Sequence, residues 1–147
     1  MSLRPEQQPD SSGCPQGPRA SYGKPKSGHS REPIISGTTV ELLVDSLTPQ
    51  AEVYAGIITF EPGASGPLHW HDVGEFAYVL RGCGVLLDAD GSETPVSPNG
   101  FIWHPAGHSG AHAMHNQGDE PLVILFVYPA LDGRQPSFRH LDTPTEA

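Results

Sequence analysis

The sequence predicts an all-β domain, a small antiparallel barrel or sandwich, on three observations. Glycine and proline are abundant, 17 and 16 of 147 residues, too many for a helical protein and suited to short strands joined by turns. Stretches rich in β-branched and apolar residues recur at regular spacing, with turn residues between them. No segment carries a clear helical period, and no internal repeat is visible. The length suits one domain.

Taken in order, residues 1–33 are rich in Pro, Ser, Gly, Gln and charge and nearly devoid of aliphatics. Such a segment buries too little apolar surface to offset its ordering entropy, so disorder is expected, with an arm packed on a partner subunit as the alternative. The folded body is expected over residues 34–130. Thr38–Val44 and Glu52–Glu61 read as strands. So do Leu68–His71 and Glu75–Leu80, followed by Cys83–Asp88, which ends at the hairpin signal Asp88-Ala-Asp-Gly91. Glu93–Val96, Gly100–His104, Ala111–Asn116 and Leu122–Tyr128 complete about nine strands. Residues 131–147 read as a polar C-terminal extension. The aromatics Tyr54, Phe60, Phe76, Tyr78, Phe101, Trp103 and Phe126 are most simply core, some lining a pocket.

The chemistry concentrates between Gly63 and Gly82. His69 and His71 are two apart, so a strand points both imidazoles to one face. Glu75 follows after a short turn and offers an oxygen ligand. A further imidazole lies downstream, where His104, His108, His112 and His115 crowd together. Alternation puts His112, Met114 and Asn116 on one face and His115 on the other. Three nitrogens and one carboxylate suit a divalent transition metal better than calcium or magnesium.

At these residues the sequence resembles the cupin superfamily. The first cupin motif is Gly, five residues, His-x-His, three or four residues, Glu, six residues, Gly. Gly63, His69, His71, Glu75 and Gly82 fit it throughout. The second motif is Pro-x-Gly, two residues, His, three residues, Asn. Pro105-Ala-Gly107 and His112…Asn116 fit its two ends, with four residues between Gly107 and His112, a turn lengthened by two. Counting back from Asn116 selects His112 as the third imidazole. Counting forward from Gly107 selects Gly110, which cannot ligate. His108 stays in competition, because a lengthened turn can carry it to the same point. His104 is either a strand-end residue or a proton carrier beside the metal. The resemblance covers roughly residues 38–130.

The resemblance implies a double-stranded antiparallel β-barrel of jelly-roll type with the metal inside. It implies the ligand set His69, His71, Glu75 and His112, with Glu75 and His104 as candidate catalytic groups. Fe(II) is the first expectation for the ion, with Mn, Ni, Zn, Co or Cu as alternatives. The leading functional expectation is a dioxygenase acting on a small-molecule substrate. The alternatives are a metal-dependent isomerase, lyase or cyclase, and a non-catalytic binding module. A homodimer is expected from the resemblance alone.

Charge narrows the partners. Residues 1–33 carry Arg4, Arg19, Lys24, Lys26 and Arg31 against Glu6, Asp10 and Glu32, a net of +2. The rest carries Arg81, Arg134 and Arg139 against 14 acids, a net of −11. Such a body repels nucleic acid and anionic membranes. Phosphorylated or dicarboxylate substrates need an Arg or Lys clamp. Arg81 is the one cation inside the motifs, and its spacing from Glu75 puts it at the barrel rim. A neutral or metal-chelating substrate is expected instead. No run reaches the length of a membrane helix, the N-terminus lacks the apolar centre of a signal peptide, and Cys14 and Cys83 make no disulfide framework. A cytoplasmic setting is the resulting expectation.

Overall fold

The computed structural model describes Ala20, residues 22–27 and residues 35–141. The expected disorder over residues 1–33 falls largely outside this set. Among the described residues eleven short strands form two antiparallel sheets. They are β1 (Lys26–Ser27), β2 (Thr38–Val44), β3 (Val53–Phe60), β4 (His69–Trp70), β5 (Glu75–Arg81), β6 (Gly84–Asp88), β7 (Glu93–Val96), β8 (Phe101–His104), β9 (His112–His115), β10 (Leu122–Pro129) and β11 (Arg139–His140). The first sheet runs β1-β2-β3-β10-β5-β8 and the second β11-β4-β9-β6-β7. They face each other as a jelly roll, and the hydrogen-bonded ladders do not close into a continuous barrel. The short strands β1 and β11 were not foreseen. Lys26 and Ser27 pair with Leu42 and Glu41.

Alternation along β10 shows how the core is built. Leu122, Ile124, Phe126 and Tyr128 are buried, and the residues between them face outward. Leu122 and Ile124 pack with Phe60, Ala77 and Val79 of the same sheet and Leu86 and Met114 of the other. Phe126 and Tyr128 pack with Leu42 and Tyr54. Gly56 stands opposite Phe126 in the β3–β10 ladder, and a Cβ there would lie 2.6 Å from the Phe126 ring. The glycine thus leaves the space that the aromatic fills.

The same rule corrects part of the expected core. On β5, Glu75, Ala77 and Val79 point inward, which turns Phe76, Tyr78 and Leu80 outward. On β8, His104 is buried, while Phe101 is 70% and Trp103 59% exposed. Phe76, Phe101 and Trp103 therefore belong to the surface, because the inward positions of the two strands are taken by Glu75, Ala77 and Val79 on β5 and by Ile102 and His104 on β8. Arg81 is exposed at the far end of β5. No helix among the described residues is long and apolar enough to cross a membrane.

Candidate metal centre

Strand β4 is short and carries two of the key side chains. His69 pairs with His112 of β9, the one register pair those strands share, and with His140 of β11 on the other side. The turn between β8 and β9 is a 3-10 turn over His108–Gly110, which accommodates the two extra residues. Gly110 tucks under Pro105: a Cβ there would fall 1.7 Å from the Pro105 carbonyl oxygen. The fold brings His69, His71, Glu75, His104 and His112 into one buried cluster. His108 lies outside it, exposed and against Trp70 at 4.7 Å between ring centroids. His115 occupies the opposite face of β9, and His140 is exposed.

Three imidazoles are held in the same way. The Nδ1–H of His69 donates to the Pro67 carbonyl at 2.8 Å, that of His71 to Ser137 at 2.7 Å, and that of His112 to Gly110 at 2.9 Å. Each bond fixes the tautomer and puts the lone pair on Nε2, which in His71 accepts from the Tyr128 hydroxyl at 3.1 Å. Donor atoms of His69, His71 and His112 lie within 4.8 Å of one another, as do those of Glu75, His104 and His112.

The carboxylate gives the fit test. Glu75 is 7% exposed, and its Oε2 makes no well-formed hydrogen bond. Yet His112 Nε2 stands 3.1 Å away and His71 Nε2 3.8 Å. Spacings of about 3–4 Å are those of two ligands sharing one cation through bonds of about 2.2 Å. A buried carboxylate oxygen facing two imidazole nitrogens is costly alone and well satisfied by a divalent ion. The residues fit the metal.

Electrostatics agree. Burial, together with the neighbouring His112, lowers His69 to about 3 and His104 to about 4, so both are neutral near pH 7. Burial also lowers His71, against the pull of Glu75. For Glu75, burial alone would push the carboxyl up; His112, His104 and His71 outweigh it and hold it at about 2. Burial works against a charged His112 too, but the Glu75 carboxylate prevails and raises it. Neutral His69, His71 and His104 and an ionised Glu75 are the protonation states that suit a cation, and His112 must give up the proton that Glu75 favours when an ion enters.

His104 differs from the other three. It lies flat on His112, ring centroids 3.5 Å apart, and its ring is tied to no main-chain carbonyl of the described residues. The Tyr128 hydroxyl stands 3.1 Å from His71 Nε2.

Beside these groups opens a small cavity whose mouth reaches solvent. His69, Glu75, His104 and His112 form its polar end; Phe60, Phe126, Tyr128, Phe138, Met114 and aliphatic side chains form most of the rest, and among the described residues no Lys or Arg lines it. Phe138 is the residue that sequence reasoning missed. The chain beyond Pro129 turns back so that Ser137–Leu141 lies along Leu68–Asp72. Arg139 and His140 pair with Trp70 and His69, and Leu141 N–H donates to the Leu68 carbonyl at 3.0 Å. Arg139 bonds Asp72 at 3.2 Å and lies 5.3 Å over the Trp70 ring. Phe138 stacks on His69, centroids 4.1 Å apart and 14° from parallel. The one signal available was a single Phe in a mostly polar tail.

A two-sheet antiparallel body with histidines and a glutamate converging inside it defines a class, the small metal-binding jelly rolls. Residues 56–128 match the cupin domain family, and the chain belongs to the cupin superfamily. It is similar to (R)-mandelonitrile lyase of Granulicella tundricola, 30% identical over 118 residues, covering 76% of this chain and 84% of the lyase. Among solved structures it is similar to the polyketide cyclase RemF of Streptomyces resistomycificus, with a TM-score of 0.68, 25% identity, and 84% and 82% of the two chains covered. A sugar phosphate isomerase from Silicibacter pomeroyi aligns with a TM-score of 0.64 at 26% identity, covering 82% of this chain and 78% of the isomerase.

Proposed function

We propose that this protein is a metal-dependent lyase or cyclase acting on a small, uncharged substrate that carries a carbonyl or hydroxyl oxygen. His69, His71, Glu75 and His112 hold the metal in this reading, and His104 moves the proton. The observation that carries it is the set of three imidazoles, each anchored through Nδ1 to a backbone carbonyl, beside a largely apolar cavity that no Lys or Arg of the described residues lines. A bound divalent transition metal supplies Lewis acidity that polarises a substrate oxygen.

The chain's own residues supply the rest. Phe60, Phe126 and Tyr128 exclude water from the substrate body and favour an apolar one. His104 borders the cavity as a neutral imidazole, placed to take a proton from a substrate hydroxyl or activated C–H, with the Glu75 carboxylate offsetting part of the burial that disfavours its charged form. Its stack on His112 fixes the ring plane. Among the described residues a phosphorylated substrate finds no Lys or Arg in the lining, which favours an uncharged substrate over a sugar phosphate. The similarity to a mandelonitrile lyase and a polyketide cyclase supports carbon–carbon bond cleavage or formation.

The oxygen-dependent alternative with Fe(II) uses the same donors. None of the relatives named above is an oxygenase, and the lyase or cyclase reading is preferred for that reason. Elemental analysis identifies the ion first. Release of aldehyde and cyanide from aromatic cyanohydrins, and oxygen uptake with catechols, diketones and thiols, then divide the two readings. Metal-dependent cleavage without oxygen uptake, lost in His104→Ala at full metal content, is the expected result. Oxygen consumption tied to substrate turnover would replace it with the dioxygenase, and a full metal load with neither reaction would leave a binding module.

A further inference from the structure

We propose that Phe138, carried on the C-terminal strap Ser137–Leu141, is a specificity-determining residue: it is the wall that selects flat, uncharged ligands beside the metal. The inference rests on the metal-site reading above and deepens it to a substrate class. Four aromatic side chains line the cavity: Phe60, Phe126, Tyr128 and Phe138. The first three are core residues, 5%, 6% and 5% exposed. Phe138 alone is half-buried, so it stands at the mouth, where an entering ligand meets it. Its ring is parallel to His69 and nearly perpendicular to His71, at 78°. A group bound through an oxygen at the metal therefore has an aromatic side wall whose orientation is set by the ligand imidazoles themselves.

The strap is built to hold that wall in place. It pairs with β4 at two positions, bonds Leu68 through Leu141, and gathers Ser137 and Arg139 on Asp72. The Ser137 carbonyl accepts the His71 Nδ1–H at 2.7 Å, so wall and ligand strand share one register. Aromatic pairs prefer offset stacked or edge-to-face contact and gain energy beyond the area they bury. A planar unsaturated ligand collects that gain and a compact aliphatic one does not.

Two hydroxamic acids make the test, because they chelate metal through the same atoms and differ only in phenyl against methyl. The full chain is loaded with Co(II), and its visible spectrum reports both metal geometry and chelator binding. Wild type is expected to prefer benzohydroxamic over acetohydroxamic acid. Phe138→Ala is expected to cut that preference about three- to tenfold, with the acetohydroxamate affinity and the resting spectrum unchanged. Phe138→Leu keeps the bulk without the ring and is expected to lose most of the same preference. An unchanged preference in both variants would overturn the inference while leaving the metal site standing. Equal weakening of both probes with an altered resting spectrum would also overturn it, reducing Phe138 to a prop for His69. A wild-type protein that takes up no Co(II) would sink both readings together.

Discussion

Replacing Gly110 by alanine perturbs the metal centre without touching a ligand. The new Cβ would sit 1.7 Å from the Pro105 carbonyl oxygen, and real contacts of this kind do not fall under 3.0 Å. The backbone of the β8–β9 turn must therefore move by at least 1.3 Å, the difference of those distances. Both partners in the clash are main chain, so no rotamer change relieves it. Overpacking of this kind costs about 3 kcal/mol, which is a fall in Tm of roughly 10 °C or more for a domain of this size. The turn also aims His112 through the Gly110 carbonyl, 2.9 Å from Nδ1. Loss of such an orienting bond weakens metal binding about 10- to 100-fold. Thermal melting of the metal-free protein and competition against a chromophoric chelator measure the two effects. Gly107→Ala is the control: its φ of +84° and ψ of −175° fall in a region kept almost wholly for glycine, so it carries backbone strain of about 1–3 kcal/mol, but nothing lies within 4 Å of a Cβ to be pushed aside. Metal affinity should hold in it. A Gly110→Ala protein that melts and binds metal like Gly107→Ala would refute the reasoning.

Three further outcomes are expected. His112→Ala should empty the site of metal by elemental analysis while His108→Ala keeps it full, since His108 lies outside the cluster; the reverse would return His108 to the ligand set. Asn116→Ala should cost about 3 kcal/mol or more in urea unfolding, because it strips partners from the Phe60 and Glu120 carbonyls and the Gly118 N–H at a site 1% exposed; the folded fraction should still load metal, and selective metal loss would make Asn116 part of the site. The metal-free protein should melt at lower temperature as pH falls from 6.5 to 4. His69 and His104, at about 3 and about 4 when folded against an ordinary 6.5, refuse protons that the unfolded chain accepts, so stability rises with pH through that window. Glu75, at about 2 against 4.5, adds the same sign between those values. His112, raised, opposes it, and its contribution is lost as pH climbs through its folded value. A Tm that is flat or rising on acidification would contradict these shifts.

The legible part of the site was its local part. His69, His71 and Glu75 lie within seven residues, and strand alternation plus one turn brings them together wherever the rest of the chain goes. His112 required a long-range pairing, and the lengthened turn left two histidines in contention. The contact between Gly110 and Pro105 explains that turn, and no spacing rule encodes it. His104 was seen as a strand-end residue or a proton carrier; its burial depended on β8 pairing with β5 in the register that sets Glu75 opposite His104. The aromatics show the limit of hydrophobicity alone. Phe101 and Trp103 were known to share a face, but which face followed only from the polar cluster claiming the other. Phe138 was hidden because nothing local marks a tail that returns across 66 residues to bond His71.

The strap divides labour along the chain. The candidate ligands all lie between residues 69 and 112, inside the stretch that matches the cupin domain family, which stops at residue 128. The residue that shapes the mouth comes ten positions after that match ends. Chemistry and selectivity are thus written in separable segments. Drift or deliberate exchange in the tail can retune what enters while the barrel keeps its donor set. A fragment trimmed to the family boundary would retain the candidate ligands and lose both the wall and the carbonyl that steadies His71.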